Sequence, residues 1–247
     1  MSRYSLNGDR KRNRFSFLRV FLEIPVIVLS IYIAFVVDEW SKEKAAAVQE
    51  KSYLEQLLEE TRINSEELKA DQGQRRIQLV FLDKLLETSN RRVDPDTLRT
   101  AIDYLLMVRL YSSTDAVYED LVSSGNLRLI SSDSIRYEMM QYRRKLSRAP
   151  ITEQSDIDLI ENRIEPYLVS KQVLSLLEPH DDLPSINISE QQKDRIIRVL
   201  LNDRTFIDLV YLRRDRIKQV IWFETPMEWS LRNMRNLIAA ELETSAN

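Results

Sequence analysis

Four groups of residues carry side chains that could do chemistry. His180, the one histidine of the chain, precedes Asp181 and Asp182. An imidazole beside two carboxylates can ligate a metal or exchange protons. The group falls in a proline-flanked stretch, 179–188, with no second histidine to extend it, and reads as a solvated loop. Ser123-Ser124-Gly125 offers hydroxyls next to a glycine but lacks the surroundings of a nucleophile elbow, and no further histidine is present to act as its base. Gly125 is better explained as a helix stop, because glycine enters the left-handed region at little cost. Glu59-Glu60 and Glu66-Glu67 are paired acids that read as a solvated helix face. Arg213, Arg214 and Arg216 with Trp222 and Phe223 resemble a base-stacking surface. Asp208, Asp215 and Glu224 dilute that field, so helix packing with surface ion pairs is the better reading and no nucleic-acid partner is expected. Trp222 and Trp229 could alternatively mark a second contact with a membrane or a partner.

No catalytic, cofactor-binding or metal-ligating residue is therefore assigned, and no cofactor is expected. Three glycines are too few for a glycine-rich phosphate cradle, and with no cysteine there is no disulfide framework and no zinc–thiolate site.

The elements around these residues are more informative. The chain has 247 residues with 36 basic and 39 acidic side chains, a net charge of −3. An apolar fraction of 43% is too high for a disordered chain. The charge is unevenly placed. Residues 1–19 hold six basic residues against one acid, leaving that end at +5. An almost uninterrupted apolar run follows, VFLEIPVIVLSIYIAFVV over 20–37, in which Glu23 is the one formal charge. Roughly 20 helical residues cross a hydrocarbon core, so a transmembrane helix is expected over 17–38.

Three alternatives are weaker. Cleavage as a signal peptide needs small residues soon after the apolar core, and Ala45–Ala47 come only after a charged stretch. A buried core helix fits poorly with a run that is apolar all round. An interfacial helix needs a polar face, which is missing. The basic tail, residues 1–16, should stay in the cytoplasm, because cations flanking a span are retained there. Residues 39–247 should then lie outside, in the periplasm of a bacterial cell. A tail of that size is too short for an output domain.

Four residues of this segment are candidates for anchoring or partner contact. Arg19 and Glu23 are four apart and share a helix face, either pairing near the head groups or meeting a partner helix. Pro25 removes one backbone donor and is expected to bend the span. Trp40 suits the interface.

The remainder reads as helix throughout. Positions 54, 57, 61, 65, 68, 72, 75, 79, 82 and 86 keep helical steps, although Thr61, Ser65, Gln72 and Arg75 make the middle of the stripe polar. The helix is expected to continue outward through this polar middle, with a break near Gly73 as the alternative. Asp94-Pro95 opens a helix, Ser132 or Asp133 caps another, and Pro150 stops it. Thr152 caps the next, which Pro166 kinks or splits. Ser189 and Gln192 form a capping box for a helix starting at Glu190, and Asn202-Asp203 ends it. The last segment, 204–242, is long and interrupted once, at Pro226. No segment alternates as a strand would. The expected fold is all-α: one N-terminal transmembrane helix followed by an elongated bundle whose long first and last helices pair antiparallel.

Glu23-Ile24, Ile27, Ile31, Ala34 and Trp40, with Tyr53-Leu54 and Leu57-Leu58, resemble an uncharacterised family of small single-span bacterial proteins. Leu121, Ser124, Gly125, Leu127 and Ile130 match its central L-x-x-S-G-x-L-x-x-I element. The resemblance covers about half the chain. It implies a membrane-anchored helical protein and supplies no activity or site residue.

These readings favour a non-enzymatic envelope module that binds, scaffolds or senses. Its expected partners are the bilayer and a second copy of the chain or another membrane protein, since a narrow apolar stripe is readily buried by a copy of itself. The alternative is an envelope enzyme or enzyme subunit using carboxylates. It requires two acids converging in an apolar pocket with perturbed pKa values.

Overall fold

A computed structural model describes residues 13–87, 95–173 and 189–244. All its regular elements are helical. They are α1 (Asn13–Glu87), α2 (Pro95–Leu106), α3 (Ala116–Ser123), α4 (Asp133–Leu146), α5 (Ala149–Leu159), α6 (Glu165–Ser170), α7 (Glu190–Leu201) and α8 (Arg204–Thr244). A 3-10 turn (Asn126–Leu129) precedes α4, and a π turn (Ile160–Ile164) joins α5 to α6. The all-α class and the long first and last helices are as the sequence implies. The chain divides into two compact units, residues 1–52 and 53–247.

In the first unit, the described part of α1 is exposed from residue 25 to 37. Its apolar side chains face outward all round the helix, with Ile31 at 67% and Phe35 at 64% exposure. Among the described residues no helix is long and apolar enough to cross a membrane. The expected span starts at Phe17, and the side chains of residues 17–22 and of Ile24 lie outside the described ones.

The second unit holds two apolar clusters. One gathers Leu82, Leu85, Ile102, Leu105, Ile164 and Phe206 among others. The other gathers Leu54, Leu57, Leu68, Ile135, Met139 and Leu231. Helices α1 and α8 supply side chains to both. The ion pairs Asp83–Arg214 and Arg75–Glu224 run in opposite chain order, so α1 and α8 are antiparallel here.

The caps follow the sequence. The Ser132 hydroxyl accepts the amide of Ile135. Ser189 and Gln192 complete a capping box. Gly125 has φ +73°, the left-handed conformation that ends α3. Asn202 and Asp203 separate α7 from α8.

α1 runs unbroken through Pro25 and, as its helical stripe implies, through Gly73; three expectations, at Pro150, Thr152 and Pro226, are corrected. A helical glycine costs about 1 kcal/mol relative to alanine, and the fully buried Leu68 and Leu82 on either side keep α1 packed across it. α8 likewise continues through Pro226. Pro150 opens α5 rather than stopping α4, and Thr152 falls inside α5 instead of capping it. A proline in the first turn sacrifices no intrahelical bond. The expected kink or split at Pro166 is met by the π turn that divides α5 from α6. This turn, where the Glu165 amide reaches back to Ile160, lies just ahead of the proline and absorbs the misfit.

Candidate functional site: a buried polar band and its cavity

Residues 107–115, between α2 and α3, have no regular structure, yet part of this strap is buried. Buried peptide groups outside helices need partners, and the polar middle of α1 supplies them. Asn64 donates to the Thr114 carbonyl at 2.7 Å and accepts the Thr114 amide at 2.8 Å. Glu60 accepts the Val117 amide at 2.8 Å. Gln78 donates to the Met107 carbonyl at 2.9 Å. Arg75 donates to the Arg109 carbonyl at 2.9 Å. From the other side Arg213 donates to the carbonyls of Leu105 at 3.1 Å and Met107 at 2.7 Å. On α5, Glu153 accepts the Tyr111 amide at 2.9 Å.

Two arginines organise the charge. Both Arg75 and Arg213 are 1% exposed. Arg75 contacts Asp71 at 3.0 Å and Glu224 at 3.1 Å, with Glu153 at 4.0 Å. Arg213 pairs with the buried Asp156. Asp71 also accepts from Arg109 at 2.7 Å. The Tyr111 and Tyr142 hydroxyls meet at 2.9 Å. Desolvation pushes the Tyr142 phenol up to about 12.

Beside this band lies a cavity of about 240 Å³. Its walls are the α4–α5 corner (Arg144, Lys145, Arg148, Ala149, Thr152 and Glu153) and the middle of α8 (Val220, Trp222, Phe223, Glu224, Pro226 and Met227). The inner end is buried at Val220, Glu224 and Met227, while Arg144, Arg148, Trp222 and Phe223 are exposed at the mouth. Lys145 is anchored to the Ser230 hydroxyl at 2.6 Å and the Pro226 carbonyl at 3.0 Å.

Two acids line the cavity, and burial raises both. Glu224 is pushed up to about 7, chiefly by desolvation, with Asp71 and Glu153 adding to it and Arg75 opposing. Glu153 is raised by desolvation against the Tyr111 amide and Arg75. One oxygen of Glu224 faces Arg75 at 3.2 Å. The other, Oε2, is buried with no hydrogen-bond partner. Among the described residues no cluster of acids and histidine could hold a metal ion.

No family model, curated protein or solved structure matches this chain. Function must therefore be argued from its own residues.

The residues singled out in the sequence fall elsewhere. Glu23, Pro25 and Trp40 belong to the first unit, where Glu23 and Trp40 are exposed and Lys44 sits 3.9 Å over the Trp40 ring. The side chain of Arg19 and the whole of His180, Asp181 and Asp182 lie outside the described residues. Two readings are corrected. Glu60 is buried, not solvated, because it holds the amide of Val117. Arg213 is buried in an ion pair, not spread on the surface, because the carbonyls of Leu105 and Met107 need its donors. Its neighbour Arg214 does pair near the surface, with Asp83.

Asp71, Arg75, Glu153, Asp156 and Glu224 were missed as a group. A signal for part of it was present. Thr61, Ser65, Gln72 and Arg75 fall on the inward stripe of α1, and polar residues on an inward stripe mark a buried polar partner.

Proposed function

We propose that this chain is a single-span, membrane-tethered module whose helical domain binds a partner or ligand outside the inner membrane of a bacterium. The observation carrying the tether is the outward exposure of every described side chain from 25 to 37, most of them large and apolar. A soluble protein rarely leaves so large a continuous apolar surface in water. The sequence supplies the length, since the apolar run reaches back to Phe17, and the flanking cations supply the direction. A second copy or another membrane protein is the expected neighbour of this helix. The resemblance to single-span bacterial proteins points the same way.

Alkaline phosphatase fused after residue 247 tests the topology, because that enzyme becomes active only outside the cytoplasm. An active fusion in the membrane fraction is expected. An expressed but inactive fusion, or full-length chain in the soluble fraction without detergent, overturns the reading.

An envelope enzyme using carboxylates is the second reading, favoured by Glu153 and Glu224 lining one cavity. Binding is preferred because both acids already have structural work. Glu153 holds the Tyr111 amide and Glu224 holds Arg75, which leaves Glu224 Oε2 as the unpartnered carboxylate atom there.

A further inference from the structure

We infer that the cavity between the α4–α5 corner and α8 binds a small apolar amino acid, with its ammonium on Glu224 and its carboxylate among the cations of the mouth. This names a ligand class for the proposed binding module but rests on the second unit alone and not on the tether. A chain found soluble would remove the tether and leave the outcome below unaffected.

The cavity has three chemical zones, arranged by depth. Innermost is the Glu224 carboxyl, 3% exposed, with Oε2 unpartnered. A buried oxygen without a donor is unfavourable, and a ligand N–H would supply the missing hydrogen bond. Val220 and Met227 form the apolar wall, continued by Phe223 at the mouth, and suit a hydrocarbon side chain. At the mouth, Arg144, Lys145 and Arg148 supply three cations on one corner. The opposed charges decide between ligands. A plain amine would have to pass and remain beside three cations. A plain carboxylic acid would satisfy the mouth and leave Glu224 Oε2 unpaired, or place a second carboxylate against it. A zwitterion with an apolar side chain answers all three zones. The volume of about 240 Å³ falls below the roughly 300–1,000 Å³ of sites for drug-sized ligands and suits a molecule the size of a single amino acid.

The test uses the full-length chain in detergent at about pH 8, where Glu224 and the ligand ammonium are both charged. Leucine and phenylalanine are titrated by calorimetry and by fluorescence of Trp222, which lines the cavity. Phenethylamine and 3-phenylpropionate serve as probes lacking one charge each. Saturable binding of the amino acids is expected, with either single-charge analogue at least about tenfold weaker. Glu224→Gln should weaken phenylalanine by about tenfold or more. The double variant Arg144→Ala/Arg148→Ala alters exposed side chains and should not disturb folding. It should weaken phenylalanine while leaving phenethylamine unweakened. Three results overturn the inference: no saturable amino-acid binding up to about 10 mM, either single-charge analogue binding as tightly as phenylalanine, or affinity indifferent to both variants.

Discussion

Arg75 on α1 and Glu224 on α8, 149 residues apart in sequence, form a buried ion pair at 3.1 Å between the two apolar clusters. The pair sits where α1 turns polar and where the strap 107–115 crosses. Each partner also serves a second structure, since Arg75 holds the Arg109 carbonyl and Glu224 closes the inner end of the cavity. The band is therefore both the seam of the bundle and the floor of the candidate site.

Replacing Arg75 by leucine removes a cation that serves Asp71, Glu224 and a backbone carbonyl at once. Breaking a buried pair leaves an uncompensated charge and typically costs about 3–5 kcal/mol. Arg75→Leu should lower the denaturation midpoint accordingly in urea titrations followed by circular dichroism. Arg62, which bridges Glu59 and Glu66 on an exposed face of α1, is the control. Arg62→Ala should leave the midpoint in place, since exposed ion pairs are screened by water. Equal effects of the two variants would refute the seam.

Asn64 is the clearest tether of the strap, because one side-chain amide satisfies both backbone groups of Thr114. Asn64→Leu strands a donor and an acceptor and should cost about 2–4 kcal/mol. Hydrogen exchange locates the loss. The Thr114 amide should lose protection, while the helix amides of α4 keep theirs. Unchanged Thr114 protection would show that the strap is held by other means.

The helices were legible from the sequence because their signals are local. Capping at Ser132 and Ser189, the left-handed Gly125 and the break at Asn202-Asp203 depend on residues within one turn of each other. The band was not legible, because its partners are far apart in the chain. Nothing near Arg213 announces the carbonyls of Leu105 and Met107, 106 or more positions away. The strap itself reads as an ordinary connector until α1 and α8 enclose it. Local rules also failed at Pro150, which opens a helix where its missing donor costs no intrahelical bond, and at Pro226, whose cost of about 3 kcal/mol is offset by the buried side chains of α8 on either side.

Gly125 ends α3 at φ +73° with nothing within 4 Å of the position a Cβ would occupy. Its requirement is therefore conformational and not steric. Gly125→Ala should cost about 1–2 kcal/mol, and Gly125→Asn less, since asparagine tolerates this region better. Thermal melts of the two variants check the order. Alanine matching glycine would mean that the turn rearranges freely.

The acidity of Glu224 fixes a dependence of stability on pH. Its carboxyl rises from 4.5 to about 7 on folding, because the burial penalty on the anion exceeds what Arg75 returns, and Asp71 and Glu153 add smaller repulsions. The folded chain therefore holds this proton more tightly than the unfolded chain does. The associated stability is complete below pH 4.5 and is lost as pH rises to about 7. The loss amounts to about 3 kcal/mol. Glu153 and Glu60, also raised by burial, act in the same direction. Asp203, held low by Lys171, titrates below this window and does not oppose them. Urea midpoints should accordingly fall between about pH 5 and pH 8. Glu224→Gln should flatten the slope by removing its largest contributor, without abolishing it. A slope as steep in Glu224→Gln as in the parent chain would mean that Glu224 stays ionised when buried, satisfied by Arg75 alone.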